Sequence, residues 1–251
     1  MQTIGVYIIT KNEEENIGAC LESVKWAEEI VLVDDFSSDR TIAIAKEYNC
    51  QIIQSEWRGY GKQKQFALEN LHTDWALNID ADERVTTELA TEIRYVTERG
   101  KLGVNGYEIP FIFYFLKHRM RYGGCGGEKH LRLFRRNQAK YDQTKVHENM
   151  SVDGEIGLLK NPIIHHSYKN MEDYLNKFEI YTSLAADLMY ERGKRPNILN
   201  FLAFPWEFFR RYILFLGFLD GQAGLIYAWN SSLYVLVKYK KLWLKYHPTK
   251  K

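Results

Sequence analysis

Residues 75–83 read Trp-Ala-Leu-Asn-Ile-Asp-Ala-Asp-Glu. The apolar run ending on Asp80 predicts a buried strand over 75–80, with Asp82 two positions further on. In extended chain, side chains two apart share a face, so both carboxylates are expected on one side. Ligands of an open α/β sheet sit outside the carboxyl ends of its strands. Two carboxylates there make a hard oxygen site suited to Mg²⁺ or Mn²⁺. D-x-D is a short pattern, and the same acids also suit a turn that caps a helix starting near residue 86.

Working outward, strand and helix patterns alternate. Strands are expected at 4–10, 30–34 and 51–55, and helices at 13–26, 39–48, 61–71 and 86–99. Asn12 is the expected cap of the first helix, with acids in its first turn. This order implies βαβ units and a mostly parallel sheet flanked by helices, a Rossmann-like α/β class. From about residue 106 the pattern becomes mixed. A strand is expected at 107–115, then a glycine cluster at 123–127, a short strand at 131–134, and β pieces at 146–152 and 163–165. The glycines are expected to let the backbone approach a ligand closely. A helix over 171–192 follows, then two more within 198–245, split near Asp220-Gly221.

Two further polar clusters fall at expected strand ends. One is Asp34-Asp35-Phe36-Ser37-Ser38-Asp39, whose carboxylates suit a base imide or ribose hydroxyls, or else turn and cap chemistry. The other is Thr10-Lys11-Asn12-Glu13. Three such clusters at one sheet edge point to a ligand site.

Charge is unevenly placed along the 251 residues. The net +2 hides 19 acids against 10 bases in residues 1–100, and 13 against 24 in the rest. From Lys194 on there are 10 bases and 2 acids, interleaved with 14 aromatics between Phe201 and Tyr246. Three scattered cysteines fit neither a zinc site nor a disulfide scaffold, and suggest a reducing compartment. The first residues lack the pattern of a signal peptide. No uncharged apolar run reaches the ~18–20 residues of a spanning helix.

The order ITKNEEENI (9–17), VLVDDFSSDRT (31–41), GKQKQFALEN (61–70) and DWALNIDADE (74–83) resembles family 2 glycosyltransferases of the GT-A fold. LRLFRR (131–136), VHE (146–148) and YILFLGFLDGQAGL (212–225) are similar to the lipopolysaccharide core β-1,4-glucosyltransferases within it. The resemblance implies a GT-A catalytic domain over 1–168, with a nucleotide-binding half (1–100) and an acceptor half (101–168). A helical extension, 169–251, would complete the chain. It also implies that Thr10, Asn12 and Glu13 line the nucleotide site and that Asp35 or Asp34 meets uracil. Lys62 would approach base or phosphate, Asp80 ribose or metal-bound water, and Asp82 would ligate the metal. A late histidine, His165 or His166, would complete the metal shell.

Arg132, with its guanidinium fork, suits a diphosphate. An inverting transfer needs a base for the acceptor hydroxyl; Glu148 and Glu128 are the two candidates. The expected reaction moves glucose from UDP-glucose onto a membrane glycolipid such as a lipopolysaccharide inner core. Rival readings are a sugar-1-phosphate nucleotidyltransferase, disfavoured by the acidic stretch after the first strand, and a non-catalytic nucleotide-sugar-binding scaffold. The basic, aromatic tail predicts peripheral attachment to the cytoplasmic face of the inner membrane. The alternative is an ordinary helical hairpin whose aromatics pack onto the catalytic domain or a second subunit. No nucleic-acid partner is expected, because the bases are mixed with bulky apolar residues.

Overall fold

A computed structural model describes residues 1–141, 150–168 and 170–247. The elements in chain order are β1 (Ile4–Thr10), α1 (Ile17–Val24), β2 (Glu29–Asp34), α2 (Thr41–Ala45), β3 (Gln51–Gln54), α3 (Tyr60–Glu69) and β4 (Trp75–Asn78). They continue with β5 (Glu83–Val85), α4 (Thr87–Arg99), β6 (Val104–Phe115), β7 (His118–Arg119), β8 (Lys129–Arg135), β9 (Ala139–Tyr141) and β10 (Met150–Val152). The last are β11 (Glu155–Leu158), β12 (Ile163–His166), α5 (Met171–Glu191), α6 (Ala203–Phe209) and α7 (Gly221–Tyr246).

The chain forms two compact units. The first holds Met1–Phe111 and Gly127–His165, the second Ile112–Gly126 and His166–Lys251. The second unit thus takes in 112–126 as well as the expected extension beyond 168.

In the first unit, β3, β2, β1 and β4 pair in parallel in that order, as the βαβ pattern requires. β8 then joins antiparallel to β4, and β6 antiparallel to β8, so the sheet is mixed. β12 and β5 follow, paired antiparallel. β1 is buried along its whole length. Its alternate side chains go to opposite faces. Ile4, Val6 and Ile8 meet Ile17, Cys20, Leu21 and Val24 of α1, which recur at helical spacing. Tyr7 and Ile9 face Ala67 and Leu68 of α3.

Helix α1 starts at Ile17, four residues later than residue 13. Asn12 takes φ 54° and does not cap the helix. Its side-chain oxygen instead accepts from Ser38 N–H at 2.9 Å, across the mouth of the neighbouring strand. Thr86 does cap α4, accepting from Leu89 N–H at 3.1 Å.

In the second unit α5 and α6 pack on α7. Lys241 of α7 donates to four acceptors on α5: the Glu179 carbonyl and carboxylate, and the hydroxyls of Thr182 and Ser183. Phe115 sits among Tyr168, Tyr174 and Tyr227, with ring centroids 5.4–5.8 Å away. The glycine cluster takes part in this packing. Gly123 N–H donates to the Phe215 carbonyl at 2.8 Å, and Arg211 Nη1 donates to the Gly123 carbonyl at 2.9 Å. A Cβ at Gly124 (φ 82°) would lie 2.8 Å from the Phe215 ring.

The tail breaks twice. One break is at Asp220-Gly221, as expected, and the other is at Leu216, which is left-handed at φ 57°. Among the described residues no single helix is long and apolar enough to cross a membrane.

Candidate active site

The strand ends of the first unit converge on a polar edge. After β1 and β2 the two loops are stitched together. Asn12 N–H donates to Ser37 Oγ (2.8 Å), Glu13 N–H to Thr41 Oγ1 (2.7 Å) and Glu14 N–H to an Asp39 carboxylate oxygen (3.1 Å). Asp34 is fully buried and spends its carboxylate on Ser37 and Gln54 within its own surroundings. Asp35 instead pairs with Lys11 at 2.6 Å and accepts from Trp57 N–H at 3.1 Å. The Trp57 ring is 46% exposed and meets Tyr60 edge-on at 4.6 Å. The Thr10 hydroxyl is buried without a protein partner.

The corner after β4 is turned, not extended, so Asp80 and Asp82 have different neighbours. Asp80 pairs with Lys64 at 3.1 Å and with Arg132 at 2.9 Å. Asp82 Oδ2 lies 3.3 Å from His165 Nε2, brought over by β12 pairing with β5 in the register His165↔Glu83. Glu83 is buried. One of its oxygens accepts from Asp80 N–H at 2.8 Å and the other pairs with Arg132 at 2.6 Å. Both Nη groups of Arg132 are therefore spent internally, Nη1 on Asn78 and Nη2 on Asp80 and Glu83, while its Nε is buried without a partner.

Electrostatics separates these acids. Burial opposes ionisation of Asp80, but Arg132 and Lys64 outweigh it and hold the carboxyl well below the usual carboxylate range. Burial pushes Glu83 up to about 7, with Arg132 pulling the other way. Burial would lower His165, yet Asp82 outweighs it and raises the imidazole above its ordinary value.

Next to this corner is a cleft of about 330 Å³, lined by Lys64, Asn78, His130, Arg132 and Tyr141 among others. Its volume falls at the small end of the ~300–1,000 Å³ typical of ligand sites. Beneath it the hydroxyls of Tyr7 and Tyr141 share a buried 2.5 Å hydrogen bond. Asn78 Nδ2 is buried without a partner.

Of the other residues named from sequence, Lys62 is exposed on the first turn of α3, whereas Lys64 is buried and reaches Asp80. Glu128 precedes β8 with a 61% exposed side chain, 3.8 Å from His130. His166 stacks on Tyr114 in the second unit. Glu148, with His147, lies outside the described residues.

Lys64, Glu83 and Trp57 were not singled out from sequence. A lysine on the helix stripe that carries Ala67 and Leu68 was a readable signal for the first. Glu83 carried no such signal, because no strand was expected to start there.

Among the described residues no cluster of three or more His, Cys, Asp or Glu is shaped to hold a metal. Asp82 and His165 bring one carboxylate and one imidazole together at this corner.

Residues 5–158 match the model of the glycosyl transferase family 2. The chain is 31% identical over 247 residues to the lipopolysaccharide core biosynthesis glycosyltransferase LpsC of Rhizobium meliloti, covering 91% of this chain and 90% of that one. It is 29% identical to a glycosyltransferase of Rickettsia prowazekii, covering 96% and 86%. Among solved structures, S. aureus TarS 1–349 in complex with UDP-GlcNAc aligns at TM-score 0.49 and 16% identity, covering 98% and 91%. The mixed sheet with flanking helices is the GT-A arrangement, and the chain belongs to the glycosyl transferase family 2.

Proposed function

We propose that this glycosyltransferase moves a hexose, glucose in the first instance, from a uridine diphosphate sugar onto a saccharide carried by a membrane glycolipid, with inversion at the anomeric carbon. The observation that carries the reading is the corner after β4. There Asp82 and His165 stand 3.3 Å apart, beside an Asp80 fixed by Lys64 and Arg132. The relative named for lipopolysaccharide core biosynthesis, matched over 91% of this chain, supports the acceptor class.

Asp82 and His165 are the residues that would hold Mg²⁺ or Mn²⁺. Such an ion, when bound, neutralises the charge of a leaving diphosphate. Asp35, anchored by Lys11 and Trp57 N–H, presents a carboxylate to the imide of uracil, and the exposed Trp57 ring offers a face on which a base stacks. Arg132 acts as a positioning residue that fixes Asp80 and Glu83. The acceptor hydroxyl passes its proton to a carboxylate, Glu148 or Glu128, as it attacks the face opposite the diphosphate.

The test is a panel of nucleotide sugars screened for nucleotide release with Mg²⁺ or Mn²⁺, with and without a lipid-linked core saccharide. UDP-glucose with the lipid-linked acceptor is expected to give the fastest release, abolished by EDTA. Release that survives both EDTA and Asp82→Ala sinks the metal assignment, and silence with every uridine nucleotide sugar sinks the donor assignment.

A further inference from the structure

The second unit carries an apolar projection that its own packing leaves uncovered. At the bend between Arg210–Leu214 and Gly217–Asp220, the side chains of Ile213, Leu214, Phe215, Leu216, Phe218 and Leu219 are each 42–53% exposed. Such a continuous run is unusual on a water-facing surface and marks an interaction site.

Three further observations say what covers it. The first is charge. From Lys194 on, the sequence contains two acids, Glu207 and Asp220. Glu207 is held by Arg210 and Arg211 with 12% of its side chain exposed. Asp220 is 7% exposed and accepts from the backbone N–H groups of Arg121 and Tyr122. Both acids are turned inward, whereas Lys194 and Arg195, in the segment leading to the bend, are exposed. An apolar bend whose own flanking acids are buried, with exposed cations in the segment leading to it, suits anionic headgroups over acyl chains.

The second is the backbone. Phe215 N–H donates to the Arg210 carbonyl, Leu216 N–H to that of Ile213 and Leu219 N–H to that of Leu216, while the Phe215 carbonyl accepts from Gly123 N–H. In an acyl environment such groups have to be satisfied internally, and these are. The third is shape. Ala203–Leu214 and Gly217–Tyr246 together have the length and composition of a span, but they meet at a 71° bend. A bent apolar pair of this kind suits entry and return on one side of a bilayer.

We propose that the Ile213–Leu219 bend is a membrane wedge, inserted into the headgroup–acyl boundary of one leaflet of an anionic phospholipid bilayer. The cations ahead of it lie on the headgroups, and the buried Glu207 and Asp220 keep negative charge away from them. This goes beyond an amphipathic helix lying flat: the deepest point is the break between helices. It holds whichever sugar is transferred, and its test does not read activity, so it stands or falls separately from the donor and acceptor assignments.

The full chain, with Cys50→Ser removing the cysteine that is not fully buried, is labelled at Leu214→Cys with an environment-sensitive fluorophore. A control is labelled at Tyr95→Cys, on the exposed face of α4. Both are titrated with phosphatidylcholine vesicles containing phosphatidylglycerol. The label at 214 is expected to shift to the blue and lose about tenfold of its quenching by aqueous iodide, with no change at 95. Unlabelled Leu214→Asp/Leu219→Asp, altered at two half-exposed positions, is expected to lose at least about tenfold in vesicle affinity while keeping the wild-type melting temperature. Wild-type vesicle affinity in that double variant overturns the proposal. So does a label at 214 that stays open to iodide on vesicle-bound protein. Protection of the label without vesicles, accompanied by a dimer in sedimentation, assigns the surface to a second copy of the chain and overturns it as well.

Discussion

Arg132 Nη2 lies 2.6 Å from Glu83 Oε1, and the Glu83 side chain is 1% exposed. Glu83→Ala removes a buried carboxyl from the cluster and leaves Arg132 with Asp80 and Asn78. Losing a hydrogen bond to a charged group costs about 1.5–3 kcal/mol. Denaturant unfolding is expected to show a loss of this size with an unchanged m-value. A loss below about 1 kcal/mol, the range of an exposed pair, is the contrary result.

Asp82 and Asp80 are expected to separate experimentally. Asp82 is partly exposed and pairs with His165, so Asp82→Asn is expected to leave the fold close to wild type. If Asp82 holds a metal ion as proposed, its loss is expected to lower nucleotide release by roughly 10²–10³-fold. Asp80→Asn weakens the attraction to both Lys64 and Arg132, and is expected to lower the melting temperature as well as the rate. Thermal melts run beside single-turnover assays distinguish the two.

In the second unit, burial works against the charge of Glu207, but hydrogen bonds from Arg210 and Arg211 outweigh it and depress its pKa below the ordinary 4.5. A depressed carboxyl stabilises the fold above its unfolded pKa and loses that contribution as pH falls through the folded value. Wild type is therefore expected to be more stable than Glu207→Gln at pH 7. Hydrogen bonds to charged groups put the gap at about 1.5–3 kcal/mol, and it closes as the pH falls below about 4. Melting midpoints of the two proteins across that range decide the matter; a gap independent of pH contradicts the assignment.

Gly224 of α7 is required by contact with Gly217. A Cβ built at Gly224 would stand 1.8 Å from the Gly217 carbonyl oxygen. The obstacle is backbone, so relief requires moving the bend itself. Gly224→Ala is expected to destabilise by at least the ~1–3 kcal/mol of core overpacking, read by thermal unfolding. Gly103→Ala, where a Cβ meets nothing within 4 Å, reports only the backbone cost of φ 92°.

Much of the first unit was legible because its strands are apolar runs punctuated by polar ends: 4–10 and 75–80 differ from β1 and β4 by at most two residues. The acids at those ends were also visible. What could not be read was how their partners are shared. The spacing of Asp80 and Asp82 suggests a common face, but the turn gives one to Arg132 and the other to His165. Asn12 has the chemistry of a helix cap, and only the neighbouring loop shows that its oxygen is taken by Ser38. The tail break at Leu216 carries no local signal of its own, because a leucine with positive φ is imposed by tertiary packing. The glycines at 123–124 do signal close approach, but not to what; their partner, the 211–217 segment, lies far along the sequence.

The bonds from Asn12, Glu13 and Glu14 to Ser37, Thr41 and Asp39 have a consequence for engineering. The segments after β1 and β2 are a single cassette, each supplying acceptors for the other's backbone. Replacing one alone with a homologous loop leaves donors without acceptors on the loop that stays. Transplants of either loop have to carry residues 11–16 and 35–41 together, and substitutions divided between them are expected to be non-additive.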